Sequence, residues 1–160
     1  MGKTVQQIMD MIQENGIQMV DFKMVDINGQ FRHVTIPARD FNEEIMREGV
    51  GFDASNYGYA VVEKSDMVFI PDPDTAVIDP FCQVPTLSMT GNAMIIDHPE
   101  NRPLAQYPRN IVLAAEKYMR DSGIADTMLI LPEFEFYLFD QASWEVQPWS
   151  IGATVDANQA

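Results

Sequence analysis

The chain has 160 residues, 46% of them hydrophobic, and a formal net charge of -14 from 24 acidic against 10 basic side chains. That length can bury a substantial core, in one domain or in one domain plus part of another, while the charge opposes unassisted binding to nucleic acid or to an anionic membrane surface. The single Cys82 excludes an internal disulfide framework and any multi-cysteine metal site; no apolar run reaches the length of a membrane span and no secretion signal opens the chain, so Met1 reads as genuine and the expected compartment is the cytoplasm.

Taken in order, Thr4 to Gln7 has the form of a capping box, and Val5, Ile8, Met9 and Ile12 follow at helical spacing until Asn15-Gly16 stops them. Residues 17–26 alternate through Val20, Phe22 and Met24 as a strand, Asn28-Gly29 supplies a left-handed pair for a tight hairpin, and residues 31–36 return before Pro37. A second helix is predicted over 40–48, with Phe41 and Ile45 one turn apart and Gly49 as its stop. Residues 51–65, GFDASNYGYAVVEKS, lose periodicity and read as a surface loop. Short strands are expected at 67–70, 75–78 and 93–97, the first two joined by Pro71-Asp72-Pro73-Asp74. Three prolines in residues 98–109 deny that segment regular structure and place a domain boundary there; Pro108 then opens a helix that Gly123 closes.

Residues 129–140, LILPEFEFYLFD, form the most apolar run in the chain, yet carry Glu133 and Glu135 at its centre. On a strand both glutamates share one face, about 7 Å apart, while Phe134, Phe136 and Leu138 share the other. Such an acidic face either stays solvated or gathers a divalent cation between its carboxylates. Beyond Asp140 the chain passes through Trp144 and Trp149 with no closing element expected, and reads as cut. His33, in a strand, reads as a hydrogen-bonded surface histidine, and His98, in a proline-rich loop, is no better placed for chemistry. No glycine-rich phosphate loop, internal repeat or Cys-plus-His nucleophile pattern is legible.

Several stretches in one order resemble the N-terminal part of class I glutamine synthetase: VDFKMVDINGQFRHVTIP its opening hairpin, GFDAS its Phe-Asp-Gly-Ser loop, SDMVFIPDPDTAVIDPF its Ser-Asp-Met and Pro-Asp pattern, and PEFEFYLFD its Pro-Glu-Pro-Glu-Phe strand. The resemblance implies an α+β chain, with a β-grasp domain over residues 1–103 and the incomplete beginning of the catalytic α/β domain over 104–160. It implies a ligase that makes glutamine from glutamate and ammonia with ATP, through γ-glutamyl phosphate, in a homo-oligomer with sites shared between subunits. Two or more Mg or Mn ions belong to that site; Glu133 would serve the metal beside the nucleotide phosphates and Glu135 the metal beside glutamate. Asp53 would match the loop aspartate that reaches a neighbour's site, binds ammonium and helps remove its proton. Read from the residues alone, Asp53 in Asp-Ala-Ser is an aspartate that caps its own turn.

Ala54 stands where the family pattern has glycine, Asn56-Tyr57 where it has Ser-Ile, Leu131 where it has glycine and Phe134 where it has proline. The remaining metal ligands, the ATP-binding segments and the glutamate-binding arginines of the family would all lie beyond Ala160, so the 160-residue chain alone is expected to be inactive. A glutamate-amine ligase of the same family, and a non-catalytic β-grasp module serving assembly or regulation, are the alternatives.

Overall fold

The computed structural model describes residues 2–97 and 99–158, which fall into two units, Met1–Asp126 and Thr127–Ala160. The first carries, in order, α1 (Val5–Glu14), β1 (Met19–Val25), β2 (Phe31–Pro37), α2 (Glu43–Glu48), β3 (Val50–Asp53), β4 (Asp66–Pro71), β5 (Val77–Ile78), β6 (Thr86–Met89), β7 (Gly91–Ile95), β8 (Arg102–Pro103) and α3 (Pro108–Asp121). The second carries β9 (Gln141–Gln147) and β10 (Ser150–Asp156).

Local chemistry sets α1 as the sequence predicts: Gln7 N donates to Thr4 Oγ1 at 3.2 Å while Thr4 N donates to Gln7 Oε1 at 2.8 Å, so two otherwise unpaired amides are satisfied reciprocally. Its apolar stripe buries Ile8. One sheet runs β2-β1-β6-β5, with β1 antiparallel to β2 and parallel to β6; the other runs β3-β4-β7-β8, antiparallel throughout. Val20, Phe22 and Met24 on β1 and Leu87 and Met89 on β6 share a face, because the register pairs Val20 with Leu87 and Phe22 with Met89. Phe22 reaches Phe69 of β4 with ring centroids 6.3 Å apart, and Phe41 at 6.5 Å, joining both sheets in one core.

Several expectations change. The β1–β2 connection is a five-residue loop, Val25 pairing with Phe31, and only Gly29 takes positive φ. Asp26 replaces the expected left-handed Asn28 as organiser: its Oδ1 accepts from the amides of Asn28 and Gln30, each at 2.9 Å, and its Oδ2 from Arg32 Nε at 2.8 Å. The helix predicted over 40–48 is split, because the Asn42 side chain accepts from Ile45 N at 3.0 Å and starts α2 afresh at Glu43. The segment read as loop from 51 opens as edge strand β3. Strand β6, unread in the sequence, is only four residues long; its Thr86 and Ser88 are buried because their hydroxyls donate to Val84 O and Asp79 Oδ2. Residues 71–74 do join two strands, but strands of different sheets.

Helix α3 begins at Pro108 as predicted, and its first turn is anchored: Asn110 Nδ2 donates to Ala93 O and Leu104 O, while Arg109 bonds Asn92, Thr90 and Asp72.

In the second unit, residues 127–139 form no ladder, against the strand predicted over 129–140. A strand exists only with a hydrogen-bonded neighbour, and none pairs with this run among the described residues; Phe134, Phe136 and Leu138 are 86%, 76% and 81% exposed. Period-two alternation persists at its end, where the Tyr137 and Phe139 rings stack at 6.1 Å and 8°. Past Asp140, where no closing element was expected, β9 and β10 make an antiparallel hairpin. Its register sets Ala142, Trp144 and Val146 opposite Val155, Ala153 and Ile151 on one face, and Ser143, Glu145 and Gln147 opposite Thr154, Gly152 and Ser150 on the other.

Candidate functional site

Asp53 ends β3, and the chain leaves the sheet there through a 3-10 turn, Ala54–Tyr57. The exit is pinned on both sides. Before it, Asp53 pairs in register with Asp66 of β4; after it, Ala54 N donates to Ser65 O at 2.8 Å and Tyr59 N to Ala54 O at 3.1 Å. Ala54 is fully buried and, among the described residues, no non-glycine residue has positive φ, so alanine fits where the family pattern has glycine. The Asp53 side chain is exposed yet held: Ser55 donates to Oδ1 twice, from its amide at 2.9 Å and from its hydroxyl at 2.6 Å. The Ser55 hydroxyl, then the Ser55 amide and the Ser65 hydroxyl, hold the Asp53 carboxyl below the usual carboxylate range. This is a capping aspartate, and it is also an anion fixed at the surface. Tyr57 closes the turn, packing edge-on against Phe52 with centroids 5.5 Å apart.

Glu133 and Glu135 lie in the other unit, exposed, within the unpaired run. Their carboxylate oxygens are hard donors of the type Mg and Mn prefer, and two of them fill only part of an octahedral shell of about six ligands. Among the described residues, no group of three or more His, Cys, Asp or Glu side chains has the geometry to hold a metal ion.

His33 is the hydrogen-bonded surface histidine expected of it: Nδ1 lies 2.6 Å from Asp21 Oδ1, and Thr35 donates to the same oxygen at 2.6 Å. His98 lies outside the described residues. The fold also does what no spacing announced, placing His33 and Cys82 on one cavity of about 300 Å³ with Lys23, Phe31 and Phe81. The polar groups there are already engaged, Lys23 Nζ lying 2.5 Å from Asp79, His33 beside Asp21, and Arg32, also on the lining, 2.8 Å from Asp26. Among the described residues no helix is long and apolar enough to cross a membrane.

Two four-stranded sheets sharing one core to which α1 adds Ile8, with β1 and β6 parallel at the centre of one sheet, define the class: a β-grasp domain in an α+β chain. The family model described as "Glutamine synthetase, beta-Grasp domain" matches residues 16–95, and the chain belongs to the glutamine synthetase family. Similar curated proteins include the glutamine synthetase of Vibrio cholerae, 38% identical over 88% of this chain and 30% of its own length. The glutamine synthetase of Frankia alni is 36% identical over 97% of this chain and 32% of its length. The 3-hydroxylaminophenol mutase of Cupriavidus pinatubonensis is 34% identical over 95% and 35%. The chain thus spans about a third of the length of the curated relatives it matches. In fold it is similar to a Plasmodium falciparum glutamine synthetase solved by cryo-electron microscopy, with a TM-score of 0.68 and 16% identity over 97% of this chain and 30% of that one. It is also similar to ligand-free GmaS, with a TM-score of 0.62 and 21% identity over 72% and 26%.

Proposed function

We propose that this chain is the N-terminal portion of an ATP-dependent ligase that joins glutamate to ammonia through γ-glutamyl phosphate, in a homo-oligomer whose sites are shared between subunits. Residues 1–103 form its β-grasp domain and 104–160 open its catalytic domain. The observation that supports this most is the state of Asp53: exposed, anionic and immobilised in a family member. Ammonium arrives as a cation and must lose a proton before ammonia can attack an acyl phosphate. A carboxyl held below its ordinary range is a firm cation anchor and a poor terminal base, so Asp53 holds ammonium and orients it while the proton leaves to a stronger base. Glu133 and Glu135 would hold Mg or Mn, which would supply neutralisation of ATP's phosphate charge. The exposed apolar side chains of residues 129–139 fit a strand that pairs within the rest of such an enzyme.

Subunit mixing tests this reading. In the complete protein, Asp53→Ala, Glu133→Ala and Glu135→Ala each remove most turnover without loss of fold. Mixed oligomers of Asp53→Ala and Glu133→Ala chains then recover part of it, because some interfaces pair an intact loop with intact metal ligands. Demonstrated mixed oligomers without recovery would refute the shared site.

The mutase relative favours a second reading, in which the same family framework serves other chemistry. Phosphate release from ATP that depends on both glutamate and an amine separates them: the ligase requires it, and a rearrangement does not.

A further inference from the structure

We infer that Ser55 is a positioning residue, which fixes the orientation of the Asp53 carboxylate toward the acceptor amine through its hydroxyl and amide. The inference rests on the assignment of Asp53 to the amine site.

Its ground is the geometry of one turn. The backbone around Asp53 is fixed by the β3–β4 register and by the Ala54 to Ser65 hydrogen bond, but that leaves the carboxylate free to swing. Ser55 removes the freedom. Two donors from a single residue converge on the same oxygen, Oδ1, at 2.9 and 2.6 Å, so the plane of the carboxylate is set while the side chain stays exposed. An ordinary Asx cap needs only the amide bond. The hydroxyl is therefore surplus to folding the turn, and the 2.6 Å contact is the shorter of the two. Its contribution lies in holding an anion that would otherwise rotate among staggered rotamers. A cation anchored by a misaimed carboxylate is displaced from the line of attack, and small misplacements cost rate steeply.

Other charges around Asp53 cannot supply this aim. Asp66, opposite it on β4, repels it. Tyr57, at the far end of the turn, feels both Asp53 and Arg32 but offers no bond to the carboxylate, and the Ser65 hydroxyl donates its one proton to Val62 O at 2.9 Å. Ser55 alone spends both of its donors there.

The test uses the complete, assembled protein. Ser55→Ala keeps the amide cap and loses the hydroxyl; the expected result is a rise of about ten-fold in KM for ammonium, the loss of one hydrogen bond to a charged group, with KM for ATP and glutamate unchanged. Ser55→Thr restores the value to within about two-fold, since the hydroxyl returns. In the 160-residue chain, carbon-detected NMR titration of the Asp53 carboxyl moves toward the ordinary range in Ser55→Ala and stays in place in Ser55→Thr. Unchanged ammonium kinetics in Ser55→Ala, beside an inactive Asp53→Asn, would overturn the positioning role and leave Asp53 in the site. Equal losses for all three substrates with a lowered melting temperature would reduce Ser55 to a turn former and overturn it too. Full turnover in Asp53→Asn would remove the assignment of Asp53 itself.

Discussion

Gly91, the first residue of β7, offers the sharpest test of the packing between β4 and β7. A Cβ built there lies 2.1 Å from Ile70 O, 2.7 Å from Pro71 Cα and 2.9 Å from the Ile70 carbonyl carbon, all backbone atoms of β4. Reaching the 3.4 Å of ordinary contact requires a displacement of about 1.3 Å. No flexible side chain can absorb it, and the β4 backbone is held by β3 up to Phe69, the residue just before the point of contact. Overpacking ordinarily costs about 1–3 kcal/mol, and a backbone obstacle within a central strand puts Gly91→Ala at the upper end, about 3 kcal/mol. For a unit of this size, each kcal/mol shifts the melting temperature by about 3–5 °C, so a fall of about 10 °C is expected. Gly51→Ala is the matched control: it lies in β3 with nothing within 4 Å of its added methyl and no positive φ, and should be neutral or stabilise by about 0.5 kcal/mol. Far-UV circular dichroism is the right readout, because both tryptophans, Trp144 and Trp149, belong to the other unit. Equal melting temperatures for the two variants would refute the close approach of the two backbones.

Leu87, fully buried on β6, should cost about 2–5 kcal/mol when replaced by alanine, read from urea unfolding of the chain; a loss under 1 kcal/mol would show that β6 does not hold the centre of its sheet. Asp79 is held at about 2, chiefly by the Lys23 bond and then by the Phe81 amide, against burial that pushes it up. A lowered folded-state value stabilises fully above the unfolded value near 3.8 and is lost as pH falls through about 2, so wild type should lose stability relative to Asp79→Asn across that window. Parallel acid limbs for the two proteins would contradict it.

The sequence announces what local chemistry decides. Thr4 and Gln7 are a complete instruction for α1, and Pro108 with Gly123 brackets α3, because each signal acts within a turn or two of itself. Elements decided by distant partners were hidden. Strand β6 is decided by β1, whose Met19 to Phe22 pair with Thr86 to Met89, and nothing near those four residues marks that partner. Asn28-Gly29 looked like a two-residue turn, but Asp26 organises a longer loop through a carboxylate that also answers Arg32. Residues 129–139 have the composition of a strand but, among the described residues, no neighbour to make it one, whereas the alternation on either side of Pro148-Trp149 is itself a hairpin signal for β9 and β10. At the candidate site, Asp-Ala-Ser displayed the capping aspartate; the second bond from Ser55, the feature that turns a cap into a fixed anion, depended on a rotamer that no sequence pattern specifies.

The parallel pairing of β1 with β6 also governs the order in which this domain can assemble. The β1–β2 hairpin can zip once residue 37 has emerged, but the neighbour that completes its sheet is β6, which pairs Val20 with Leu87 across everything between. Contacts so far apart in sequence close large loops before they are rewarded, and such topologies fold slowly. On the ribosome the hairpin therefore waits, with Val20, Phe22 and Met24 uncovered, until residues 86–89 emerge. The Asp53 turn lies inside that closing loop, but its own bonds are short-range, because β3 pairs with β4 and Ala54 N donates to Ser65 O, so it can take shape before the ends of the loop meet.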